Sequence, residues 1–288
     1  MQNTYEFLLW SNCNFDCPFC WQRRSVNKDT IVFEYMRSIP CSQVESFLND
    51  PNFIVGSNLH LSGGELFASR LDPAFEKLLV LVASKMLSGN INKLYLSTNL
   101  TYEPLDYIQS ILDVLQSNNL LDRVELITSY DVTGRFTDSS KEQLMLSNLQ
   151  SIRQTYPQMK VIVNSILTKQ MCSAILDKKF SVKEFNILYG VNVVLLPYDI
   201  LLDEYTPTNK ILNETLLFVE AENPGYLHFL YDYLDNDSRK ITYEYISGNT
   251  QMFNKIEKIF GDCGHNITYR NCYPKKNNCF LCNLKKLV

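Results

Sequence analysis

Six short runs of the chain are apolar almost end to end: YEFLLW (Tyr5–Trp10), NLHLS (Asn58–Ser62), KLYLST (Lys93–Thr98), RVELITS (Arg123–Ser129), MKVIVNSIL (Met159–Leu167) and VNVVLLP (Val191–Pro197). Strands with one wet face alternate apolar and polar residues, whereas near-continuous apolar strands belong to parallel sheets covered by helices. Helical spacing fills the intervals, around Ser42–Leu48, Pro73–Met86, Leu105–Leu115 and Lys141–Tyr156, the second opening on a proline suited to a first helical turn. Strand followed by helix, repeated with right-handed crossovers, predicts an α/β fold: a partial (β/α)6 TIM-type barrel over residues 1–198. From about Asp199 the alternation stops. Helices around Asn209–Ala221, Pro224–Tyr233 and Gln251–Phe260, then a cysteine-rich tail, predict a C-terminal extension over 199–288, packed on the barrel with no Gly/Ser-rich hinge.

Composition removes several classes of function. The 27 basic and 31 acidic residues are interspersed, so the net charge of −4 gives no footprint for nucleic acid or anionic lipid. No run approaches the roughly 18 apolar residues of a membrane span, and the first residues lack a signal-peptide layout, so a cytoplasmic protein without a membrane partner is expected. Phosphate loops, dinucleotide fingerprints, H-E-x-x-H and G-x-S-x-G are missing, and three histidines leave little room for histidine-based catalysis.

Nine cysteines in a chain without a secretion signal favour metal or redox chemistry over disulfides. Cys13, Cys17 and Cys20, spaced C-x3-C-x2-C, fall in the loop after the first strand, at the end of a parallel sheet where active sites gather. A closed zinc site uses four protein ligands, whereas an iron–sulfur cluster gives each ligand its own iron and can leave one iron open. Three local thiols suit the open kind of site, and Cys41, about twenty residues on, reads as a buried structural thiol. The loop after the second strand holds SGGE (Ser62–Glu65): two glycines that allow close backbone approach, and a carboxylate able to meet an ammonium group.

Together these motifs resemble the radical S-adenosylmethionine (SAM) enzymes, whose signature is C-x3-C-x-φ-C with an aromatic φ. CNFDCPFC places Phe19 there, SGGE is similar to the family's second motif, and the resemblance spans residues 4–198. It implies a 4Fe-4S cluster on Cys13, Cys17 and Cys20, whose open iron chelates SAM. It further implies reductive cleavage of SAM to a 5′-deoxyadenosyl radical that abstracts hydrogen from a substrate, with electrons from a reductant such as flavodoxin or ferredoxin. Gly63, Gly64 and Glu65 would meet the SAM amino group. Thr98 and Asn99 after strand three, and Ser129 and Asp131 after strand four, would contact its ribose and carboxylate. Asn164 and Pro197 sit where the adenine is commonly held.

The same residues have plainer readings. Thr98, Asn99 and Asp131 are ordinary turn formers, His60 reads as a packed or hydrogen-bonded strand residue, and Arg135 reads as a solvated loop arginine or as the partner of an anionic group. Asn164 in an apolar strand needs partners of its own. In the tail, Cys263, Cys272, Cys279 and Cys282 have the spacing C-x8-C-x6-C-x2-C, which suits zinc or an auxiliary iron–sulfur cluster. The expected substrate is a small molecule such as a nucleotide or purine-like precursor, because the first strand begins within about five residues of Met1 with no peptide-recognition domain before it. A peptide or protein substrate, or a non-catalytic iron–sulfur and SAM-binding regulator, are the alternatives.

Overall fold

The computed structural model describes residues 3–10, 12–15, 17, 20, 40–51, 53–67, 73–132, 134–136, 138–197, 205–239, 241–245, 253–255, 284 and 286–288. Strands β1 (Asn3–Leu8), β2 (Ser57–Ser62), β3 (Ile91–Ser97), β4 (Val124–Ser129), β5 (Lys160–Leu167) and β6 (Asn192–Pro197) lie in order and all parallel, as the apolar runs predict. Helices α1 (Cys41–Leu48), α2 (Pro73–Leu87), α3 (Asp106–Ser117) and α4 (Ser139–Thr155) follow the first, second, third and fourth strands. Two helices between β5 and β6, α5 (Lys169–Leu176) and α6 (Val182–Tyr189), escaped the sequence reading. Each is announced by a side-chain cap: Thr168 accepts from the Met171 amide at 3.1 Å and Ser181 from that of Glu184 at 3.3 Å. Gly190 ends α6 in the left-handed region, φ 62°.

The sequence reading beyond Asp199 needs correction. Helices α7 (Asn209–Glu222) and α8 (Tyr226–Arg239) form as expected, but Ile241–Tyr245 is strand β7, paired parallel to β1. Phe253–Lys255, inside the segment read as a third helix, is strand β8, antiparallel to β7. Strand preference depends on the partner more than on local sequence, and ITYEY beside the β1 margin finds one.

The sheet has two unlike faces. Phe7, Leu59, Leu61, Leu94, Leu96, Leu126, Val161 and Val163 point to the helices and are almost wholly buried, each contributing about 1.5–3 kcal/mol by leaving water. On the opposite, inner face the register aligns Glu6 with His60 and Ser129 with Asn164, all half-buried. These polar residues share that face with apolar ones such as Ile127, Ile162 and Val194, so it is mixed where the helix-facing side is apolar.

Helix α8 connects the two margins of the parallel strands. At β6, an outer strand, the Tyr226 hydroxyl donates to the Val193 carbonyl at 3.2 Å and accepts from the Leu195 amide at 3.1 Å. Two turns on, the Tyr233 hydroxyl lies 3.3 Å from Glu125, which also pairs with Lys160 at 2.7 Å near the start of β5. From α8 the chain goes on to β7, beside β1.

Candidate functional site

The polar residues singled out in the sequence converge at the C-terminal ends of β1 to β5. After β1 the chain keeps pairing with the segment that follows β2: the Leu9 amide donates to the Ser62 carbonyl at 2.9 Å, the Gly64 amide to that of Trp10 at 2.7 Å, and the Glu65 amide to that of Asn12 at 2.8 Å. The Trp10 indole closes the connection on the Glu65 carbonyl at 2.7 Å. The approach is so close that a Cβ on Gly63 would stand 3.0 Å from the Trp10 carbonyl oxygen and 3.2 Å from Leu66 Cδ2. Glycine is needed here for space.

Glu65 is buried and gives both oxygens to the protein. One accepts from the Thr98 hydroxyl at 2.6 Å and the Phe67 amide at 3.0 Å; the other accepts from the Asn99 amide. Burial pushes the carboxyl up to about 7, against the bonds from Thr98, Asn99, Phe67 and Leu66. Glu65 is thus a brace between the loop after β2 and the loop after β3.

That second loop reaches the first cysteine. The Asn99 amide nitrogen donates to Asn14 Oδ1 at 2.7 Å and points to Cys13 Sγ at 3.6 Å, while its oxygen accepts from the Thr101 amide at 2.9 Å and hydroxyl at 2.6 Å. Asn14 in turn donates to the Thr101 carbonyl at 2.6 Å. Leu100, between them, adopts φ 56°, uncommon for a branched residue, and buried Asn148 on α4 holds the turn through the Leu100 and Tyr102 carbonyls at 2.9 and 3.0 Å. Cys13 Sγ also accepts from the Phe15 amide at 3.4 Å.

Cys17 lies deeper, against Phe15, Cys20, Ile166 and Tyr205. Arg135 Nη1 is 3.7 Å from its sulfur, and Arg135 Nε donates to Asp131 at 2.7 Å; the other Asp131 oxygen accepts from the Ile166 amide at 2.6 Å. The reading of Arg135 as a solvated loop residue is overturned: the side chain is only 13% exposed and paired to a buried carboxylate. Burial pushes the Cys17 thiol up to about 11, with Arg135 the foremost opposing influence. The Cys20 amide bonds back to the Cys17 carbonyl at 3.0 Å.

On the inner face just below, Asn164 Oδ1 is buried with no hydrogen-bond partner among the described residues, although its backbone carbonyl accepts from the Tyr130 amide at 3.0 Å. His60 is hydrogen-bonded as expected, Nε2 to the Ser97 hydroxyl at 2.7 Å and Nδ1 to Glu6 at 3.3 Å. Ser129 faces inward beside Asn164. Pro197 ends β6, and Phe19, Cys263, Cys272, Cys279 and Cys282 lie outside the described residues. Cys13, Cys17, Cys20, Cys41 and Cys172 are free thiols, and Cys41 is buried as expected. Among the described residues, no group of three or more His, Cys, Asp or Glu side chains is gathered so as to hold a metal ion. A four-iron cluster differs from such a centre in engaging each thiol through its own iron.

Sequence reading missed Asn14, Thr101 and Asn148. Each is a short polar residue whose role depends on a turn from a different strand, and spacing along the chain carries no trace of that. No protein-family model and no curated protein matches the chain. Among the described residues no helix is long and apolar enough to cross a membrane.

Proposed function

We propose that the chain is a cytoplasmic radical SAM enzyme, with a 4Fe-4S cluster on Cys13, Cys17 and Cys20 and SAM bound at the adjoining strand ends. The observation that carries this reading is the junction of motifs far apart in sequence: Asn99 touches Cys13, Glu65 braces Asn99, and the Gly63–Gly64 backbone runs against the segment leading into the cysteine loop. When bound, cluster and SAM would supply a one-electron cleavage that yields a 5′-deoxyadenosyl radical.

The donor set fits these groups. Cys13 accepts two N–H bonds and Cys17 faces a guanidinium, both of which favour a negatively charged sulfur. The orphan Asn164 oxygen fits an exocyclic amine such as that of adenine. Gly63 and Gly64 would present backbone to the SAM amino group while Glu65 fixes their loop, Ser129 would face the ribose and carboxylate, and Thr98, Asn99 and Asp131, whose side chains bond within the protein, would hold the strand ends around them. The polar inner face, with Glu6, His60, Ser97 and Ser129, suits a small hydrogen-bonding substrate such as a nucleotide or purine-like precursor. A reductant such as flavodoxin or ferredoxin would supply the electron, and the tail cysteines Cys263, Cys272, Cys279 and Cys282 would hold zinc or a second cluster.

Anaerobic reconstitution with iron and sulfide tests the assignment. Metal and sulfide analysis should give a four-iron cluster that Cys17→Ala loses, with an electron paramagnetic resonance spectrum perturbed by SAM. A loaded cluster indifferent to SAM would sink the proposal.

A further inference from the structure

The thiols of the loop have unlike surroundings. Cys13 is exposed, and among the described residues the donors at its sulfur are neutral, the Phe15 and Asn99 N–H groups. Cys17 is buried, with the Arg135 guanidinium 3.7 Å from its sulfur. Arg135 does not reach there by chance of a loose side chain. It is held through Nε by Asp131, itself fixed by the Ile166 amide, so Nη1 is the end turned to the thiol.

We propose that Arg135 is a positioning residue for the iron–sulfur centre: it orients Cys17 and raises the reduction potential of the cluster held there, while Asp131 tempers its charge. The proposal rests on the radical SAM reading above. The physical cause is simple. Reduction adds one electron to the cluster, taken from an external one-electron donor, with no bond made or broken; a fixed positive charge at a ligand sulfur in a poorly solvated site stabilises the more negative state. A buried carboxylate on the far side of the guanidinium offsets part of that effect.

The pair of residues makes opposite predictions, which a merely structural role would not. The full chain, reconstituted anaerobically as wild type, Arg135→Gln, Arg135→Lys and Asp131→Asn, is titrated with dithionite under redox mediators and no SAM, and the reduced cluster is counted by electron paramagnetic resonance. At the potential where half of the wild-type cluster is reduced, the ratio of reduced to oxidised cluster should fall about tenfold in Arg135→Gln, equivalent to 59 mV for a one-electron couple. Arg135→Lys should recover most of the loss, and Asp131→Asn should shift the ratio upward. If Arg135→Gln takes up no cluster, the direction in Asp131→Asn decides: an upward shift supports the proposal, and no shift or a downward one overturns it. Equal potentials in wild type and Arg135→Gln would overturn the proposal alone. A wild-type chain that assembles no cluster would overturn the radical SAM reading and this inference with it.

Discussion

Replacing Glu65 by glutamine tests the brace that joins the two loops. The carboxyl sits at about 7, raised from an ordinary 4.5 by burial. A group whose pKa is raised on folding adds stability that is fully present below its unfolded pKa and lost as pH climbs through the folded one. The shift corresponds to about 3 kcal/mol in total, about 2 kcal/mol of it between roughly pH 5.5 and pH 8.5. Glutamine does not titrate. It can keep the bonds from Thr98 and Phe67, but its amide NH2 would face the Asn99 N–H group, a mismatch costing about 1–3 kcal/mol. The variant should therefore be the less stable protein at low pH, and the gap should narrow by about 2 kcal/mol as pH rises over that interval. Guanidinium unfolding of the cluster-free chain at several pH values measures the gap, and titrations shared by both proteins cancel in it. Trp10 fluorescence reports locally, since its indole bonds to the Glu65 carbonyl. A gap that stays constant or widens with pH would refute the reasoning, and would mean that the donated bonds outweigh burial and keep Glu65 ionised.

Gly63→Ala should destabilise the chain by about 1–3 kcal/mol and change Trp10 fluorescence, because the new methyl meets the Trp10 carbonyl at 3.0 Å; an unchanged spectrum and unfolding midpoint would contradict the close approach. Tyr226→Phe should leave the Val193 carbonyl and Leu195 amide on the β6 margin without their partner, at about 1–3 kcal/mol, read as faster hydrogen exchange at Leu195. Asn148→Ala should loosen the turn at Leu100, costing about 1–3 kcal/mol from two carbonyls left unpaired, and should reduce iron uptake after reconstitution.

The parallel sheet was legible because its signal is local. Each apolar run carries its own strand pattern, and the helices between carry theirs. The C-terminal strands were hidden for the opposite reason: ITYEY at Ile241–Tyr245 and FNK at Phe253–Lys255 are short, the second lies inside a stretch with helical spacing, and both are strands through pairing with β1 and with each other. The inner face was half visible. Glu6, His60, Ser97, Ser129 and Asn164 interrupt otherwise apolar runs, but only the register shows that they share one side of the sheet. Arg135 shows the limit most clearly. A loop arginine defaults to solvent, and burial beside Cys17 requires Asp131, four residues earlier, to be anchored by a backbone amide on another strand.

The central claim is most directly tested by chemistry at the cysteine loop. Reconstituted protein, reduced with dithionite and given SAM under anaerobic conditions, should produce 5′-deoxyadenosine, and Cys17→Ala should produce none. A chain that holds a complete, reducible cluster, binds SAM, and still yields no 5′-deoxyadenosine above the Cys17→Ala background would contradict the account.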